Sequence, residues 1–138
     1  MDYQSDDSSD ILTRFGEGIK KFNEGEFFDC HDILEDIWFE IRGSSRNFYQ
    51  GLIQVAVGFY HITVRENPKG ALSQLKKGTD KLNGYKPEFR GVELKHFLEK
   101  VNECIVLIEK SNDANHKKFP RKLIPKIIFD RKKFLSSD

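Results

Sequence analysis

Long apolar runs are missing from this chain. There is no run of 18 or more apolar residues and no apolar signal region near the N-terminus, so neither a membrane span nor secretion is expected. The expected location is the cytoplasm, or the plastid stroma for a plastid-encoded copy. Cysteine is scarce: Cys30 and Cys104 both fall on apolar positions of helical patterns and read as buried thiols rather than a disulfide. No glycine-rich loop follows a strand pattern, which excludes the usual phosphate cradles, and no Ser or Cys sits in a nucleophile elbow. Net charge is nearly absent, at +1, but that balance conceals a polarity. Four Asp and no base lie in the first ten residues, whereas residues 117–133 hold eight Lys/Arg against one Asp.

Aromatic bulk is abundant. With 12 Phe, 4 Tyr and one Trp in 138 residues, the chain is long enough for one domain with a substantial, bulky core. Two stretches organise it. In Phe27–Trp38, stepping about 100° per residue places Phe27, Leu34, Trp38 and Ile41 close together. Cys30, Ile33 and Ile37 widen that band on one side, Phe28 and Phe39 on the other. Asp29, Asp32, Asp36 and Glu40 take the opposite, solvated face. His31, Glu35 and Arg42 fall inside the apolar band, and a carboxylate buried there needs a partner. The His31–Glu35 spacing of four lets the two meet or share a third group. A second stretch, Phe48–His61, is apolar around most of its circumference and predicts a buried central helix. Its polar remainder is one stripe, Gln50, Gln54 and His61 with Arg46 beside it, bordered by Gly51 and Gly58, which permit close approach of a neighbouring helix.

These positions carry a resemblance. Phe22, Asn23, Gly25, Phe27, Phe28, His31, Asp32, Glu35 and Trp38 form one motif. Arg46, Phe48, Gln50, Gly51, Leu52, Ile53, Gln54, Ala56 and His61, then Gly70 and Ala71, form a second in register. Together they resemble domain of unknown function family 309, small all-helical proteins, over about residues 15–95. The stretch Gly84–Gly91 is similar to a cyanobacterial and plastid branch of it. Asp32 stands where many members have Glu, and the basic tail departs from the pattern. The resemblance implies an antiparallel helical bundle and brings no established activity.

The expected architecture is all-α, a single-domain antiparallel bundle of about five helices with a buried third helix and a C-terminal strap. Residues 1–9 are expected to be disordered, 10–118 to form the bundle and 119–138 to form a basic strap or tail. Asp10 is the expected cap of a first helix ending near Phe22, with stops at Asn23 and Gly25. The second helix is expected over Glu26–Arg42, with Gly43 as its stop and Ser44 or Ser45 capping the third. Asn67-Pro68 divides the third helix from the fourth, which ends at Gly84. A packed loop without strands leads to a fifth helix over Val92–Lys110. Pro120 and Pro125 oppose a helix in the tail, and Leu123, Ile124, Ile127, Ile128 and Phe129 are too apolar not to pack. Residues 119–129 should therefore lie on the bundle, with 130–138 looser.

His31, Glu35, Trp38, Arg46, Gln50, Gln54 and His61 are accordingly the candidate pocket, expected as one cluster between the second and third helices. Three chemistries remain open for it. His31, Glu35 and His61 together would suit zinc, iron or manganese, although the pattern is not HExxH. His31 oriented by Glu35 would suit acid/base work. A structural hydrogen-bonded pair is the plain alternative. Overall the leading reading is a soluble helical binding or assembly module, the rival a small metal-dependent or acid/base enzyme at the same pocket. No cofactor is named by the sequence. The aromatic content suggests a homodimer through the first or fifth helix. Contact of Lys117–Lys133 with RNA or an acidic partner is the third option; the alternative there is Lys stems covering the apolar strap.

Overall fold

A computed structural model describes the backbone of residues 4–111 and 118–134, with side chains from residue 10 onward. Five helices dominate: α1 (Gln4–Asn23), α2 (Phe27–Glu40), α3 (Arg46–Thr63), α4 (Pro68–Leu82) and α5 (Lys95–Lys110). Helical backbone thus begins at Gln4, well before the expected cap at Asp10; residues 1–3 of the segment expected to be disordered lie outside the described residues. A tight connection joins α1 to α2, in which Gly25 takes φ +81°, a value that glycine reaches without strain. The second helix stops earlier than Arg42, because Ile41 is extended and its N–H closes back on the Trp38 carbonyl. Asn67 caps α4 through its side-chain oxygen, which accepts from the Gly70 N–H at 3.0 Å, with Pro68 at the first helical position.

The third helix is the buried centre, as its apolar circumference predicts. Nine of its eighteen residues are buried, including Phe48, Tyr49, Leu52 and Phe59. Its contact with α4 is backbone-close. A Cβ on Gly78 would lie 2.7 Å from the Gly51 carbonyl oxygen, and Cβ atoms on Gly51 and Gly58 would press on Leu82 and Leu75. Gly51 and Gly58 therefore face α4, not α2. Phenylalanines fill the interior as two linked groups. Phe15 packs on Phe48, Tyr49, Phe129 and Phe134, while Phe22 packs on Phe27, Phe59 and Phe97.

The connection from α4 to α5 is not a strandless loop. Glu88–Phe89 (β1) and Val92–Glu93 (β2) form a minimal antiparallel hairpin, and the fifth helix starts at Lys95 rather than Val92. The C-terminal strap joins this hairpin through a bridge between Val92 and Phe129. There the Glu93 N–H donates to Ile128 O (3.0 Å) and the Asp130 N–H to Gly91 O (2.8 Å). At the other end, the Asn23 amide grips the strap backbone both ways: its Nδ2 donates to Ile127 O at 2.9 Å, and its Oδ1 accepts from Ile127 N–H at 2.7 Å. Ile127 is buried, and so is Phe134, so packing continues past residue 129 where looseness was expected. Residues 135–138 of that expectation lie outside the described residues.

Candidate functional site

The second helix lies between α1 and α3. Against α1, Leu34 sits under Gly18, and the Arg14 guanidinium donates to Glu40 at 2.9 Å. That hydrogen bond, with the nearby Asp10 carboxylate, raises the Arg14 pKa above its ordinary value against the opposing effect of burial. Against α3, the Phe28 ring meets Tyr60 at 5.3 Å, and Arg46 stacks on Trp38 with its guanidinium carbon 3.9 Å from the ring centre. Arg46 also donates through Nε to Ile41 O, which ties the end of α2 to the start of α3. The Trp38 Nε1 is buried with no hydrogen-bond partner among the described residues.

The His31–Glu35 pair forms, but on the rim. His31 Nε2 lies 3.5 Å from Glu35 Oε2, and Nδ1 lies 3.1 Å from Asp32 Oδ1. The two side chains are 22% and 40% exposed, so Glu35 is no buried charge, as its place in the apolar band suggested. Both imidazole nitrogens face carboxylate oxygens, and the ring rests on Phe28 at 5.6 Å.

The stripe on α3 turns elsewhere. Gln54 accepts from Lys81 of α4 at 3.0 Å. His61 lies against the start of α4, where its Cδ2 would be 3.3 Å from a Cβ on Gly70, and its Nδ1 is buried without a hydrogen-bond partner among the described residues. Gln50 is half-buried at the surface. Among the described residues no hydrogen bond or ion pair joins His31 or Glu35 to Gln50, Gln54 or His61, so the expected mutually satisfied cluster is replaced by separate local pairs. Nor do any three His, Cys, Asp or Glu side chains among the described residues converge as a metal-binding group, so the triad His31, Glu35 and His61 is not assembled.

What helical-wheel reasoning missed is the exposure of Phe28 and Phe39. Both were placed on the edge of the apolar band, yet they are 52% and 59% exposed; the other ten phenylalanines are buried or half-buried. A wheel gives a direction from the helix axis but not how far the neighbouring helix reaches. Three of the strap cations have local partners that their sequence positions did not disclose. Arg121 donates to Gly25 O, Lys126 to Asn23 O, and Lys133 pairs with Glu88. The first two neutralise carbonyls at the C-terminal end of α1, where helix geometry favours positive charge.

No helix among the described residues is long and apolar enough to cross a membrane. An uncharacterized protein of Aquifex aeolicus (strain VF5) is 27% identical over 84 residues, 58% of this chain and 25% of the relative. The uncharacterized protein YpuF of Bacillus subtilis (strain 168) is 43% identical over 47 residues, 33% of this chain and 26% of the relative. This chain therefore spans about a quarter of the length of each. From the inward face of α1 through α2 and α3 to the first half of α4, residues 15–74 match the family described as a domain of unknown function, DUF309, in agreement with the two motifs.

Proposed function

We propose that this chain is a helical binding module whose binding surface is the outer face where α2 meets α3. The observation that carries this reading is the selective exposure of Phe28 and Phe39 on α2, in a chain that covers its other phenylalanines. His31, Glu35, Trp38 and Arg46 edge that face, whereas Gln54 and His61 turn toward α4. The polar pairs are rim features suited to recognition rather than core struts. The self-association expected through α1 or α5 draws less support, because the aromatic bulk is absorbed inside one chain. RNA contact through the tail loses the cations engaged with Gly25, Asn23 and Glu88.

Stability measurements test the reading. Glu35→Gln should change unfolding free energy by under about 0.5 kcal/mol, as expected for a surface group. Phe28→Ser and Phe39→Ser should each cost under about 1 kcal/mol, against about 3–5 kcal/mol for emptying a buried aromatic site such as Phe59. Losses of core size at positions 28 and 39 in urea denaturation would make the face structural. The rival, a metal-dependent or acid/base enzyme at His31, would gain from elemental analysis showing a stoichiometric transition metal that His31→Ala removes.

A further inference from the structure

The outer face of α2 has a charge pattern that its own fold does not account for. Between Phe22 and Ile41 there are seven Asp/Glu and no Lys or Arg. Glu40 is bonded to Arg14, and Asp32 and Glu35 lie against His31. Glu24, Glu26, Asp29 and Asp36 are exposed, with no cation partner among the described residues. Helix electrostatics explains only part of this. Asp29 in the first turn suits the positive end of the helix, and Arg42 and Arg46 donate to the Phe39 and Ile41 carbonyls at the other end, but neither end accounts for Asp32 and Asp36 between them. Asp29, Asp32 and Asp36 also follow one another at spacings of three and four, which sets like charges side by side.

The same face carries the two exposed phenylalanines. Eleven residues separate Phe28 from Phe39, which returns the helix to nearly the same angle and sets the rings about 16 Å apart along the axis. Phe39 lies against Trp38 at 5.3 Å, and Phe28 against Tyr60 at 5.3 Å, so each is the outer member of an aromatic pair anchored in the bundle. Two apolar grips flanking a row of exposed carboxylates, of which only Asp32 meets a side chain of its own fold, make a surface complementary to one kind of partner. A second copy pairing through this same face would bring the carboxylates against themselves, and a polyanion would be repelled.

Resting on the binding-surface reading above, we infer that the outer face of α2 docks a basic, amphipathic segment of a partner protein. The partner's apolar residues lie on Phe28 and Phe39, and its lysines or arginines meet Asp29, Asp32 and Asp36.

The chain's only tryptophan, Trp38, touches Phe39 and reports on this face directly. Titration of the full chain with a synthetic amphipathic Leu/Lys helix peptide should give a saturable change in Trp38 emission. That affinity should fall by about ten-fold or more in Phe28→Ser/Phe39→Ser and, separately, in Asp29→Lys/Asp36→Lys, and fall with added salt. A Leu/Glu peptide of the same pattern should not bind. Absence of binding by the wild type, equal binding by both variants, or equal binding of the Leu/Glu peptide overturns the inference. Self-association of the wild type that both variants abolish also overturns it, because the occupant is then a second copy. Thermal melts of the two variants separate the levels of the argument. If the peptide fails while the variants melt like the wild type, the partner chemistry falls and the binding surface stands; if both variants unfold the bundle, the surface reading falls with it.

Discussion

Cys30 is fully buried on the inner face of α2, and desolvation pushes its thiol up to about 12 from an ordinary 9.0, the Phe22 backbone offsetting only part of this. Burial raises Cys104 likewise, to about 11. A thiol whose pKa is higher in the folded state contributes stability that is fully present below its unfolded pKa. That contribution is lost as pH rises from about 9 toward the folded value, because the unfolded chain then releases protons that the folded chain retains. Urea denaturation should show stability level between pH 7 and 8 and declining above about 9, and a disulfide reagent should label neither thiol until the chain unfolds. The positions of both cysteines were legible in the sequence, because an apolar residue on an apolar stripe has one place to go. His31 and Glu35 were legible as a pair through their spacing of four. Their depth was not, since the same angle on the wheel describes a core position or a rim position according to where α3 ends its reach.

The helices were legible through their 3.6-residue period, and the third as the centre through its nearly continuous apolar surface. The hairpin Glu88–Phe89/Val92–Glu93 was not, because two-residue strands have no period to read and exist by pairing with the strap. Asn23 shows the same limit more sharply. In the sequence it reads as a helix stop. In the fold its amide makes both hydrogen bonds to Ile127, a residue 104 positions away, and so acts as a side-chain substitute for a neighbouring strand. Asn23→Ala should destabilise the chain by about 1–3 kcal/mol, leaving the part-buried N–H and C=O of Ile127 unpaired. Amide exchange at Ile127 should be slow in the wild type and rise in the variant, while α3 amides stay protected. An unchanged rate at Ile127 would show that the bridge to Val92 alone holds the strap.

Across the whole molecule, a net charge near zero hides an uneven distribution along the sequence, with carboxylates along residues 24–40 and cations along the strap. The aromatic content that suggested a dimer is spent on the interior, where Phe15 and Phe22 each organise a group of rings. Light scattering should therefore give a monomer at about tens of micromolar, a range in which modest self-affinity would already show. A dimer there would return attention to the exposed Phe28 and Phe39.

The strap also carries a consequence for how the chain is made. Phe15 and the end of α1 are translated about a hundred residues before groups that cover and bond them, Phe129, Phe134 and Ile127. Until those residues emerge, a nascent chain holding all five helices still presents a phenylalanine covered on only part of its surface and the unpaired side-chain amide of Asn23 at the end of α1. Completion of this fold thus waits for the strap to be made. A chain stalled before residue 127 is left with the sticky surface that chaperones and proteases recognise, so the fold marks its own unfinished copies.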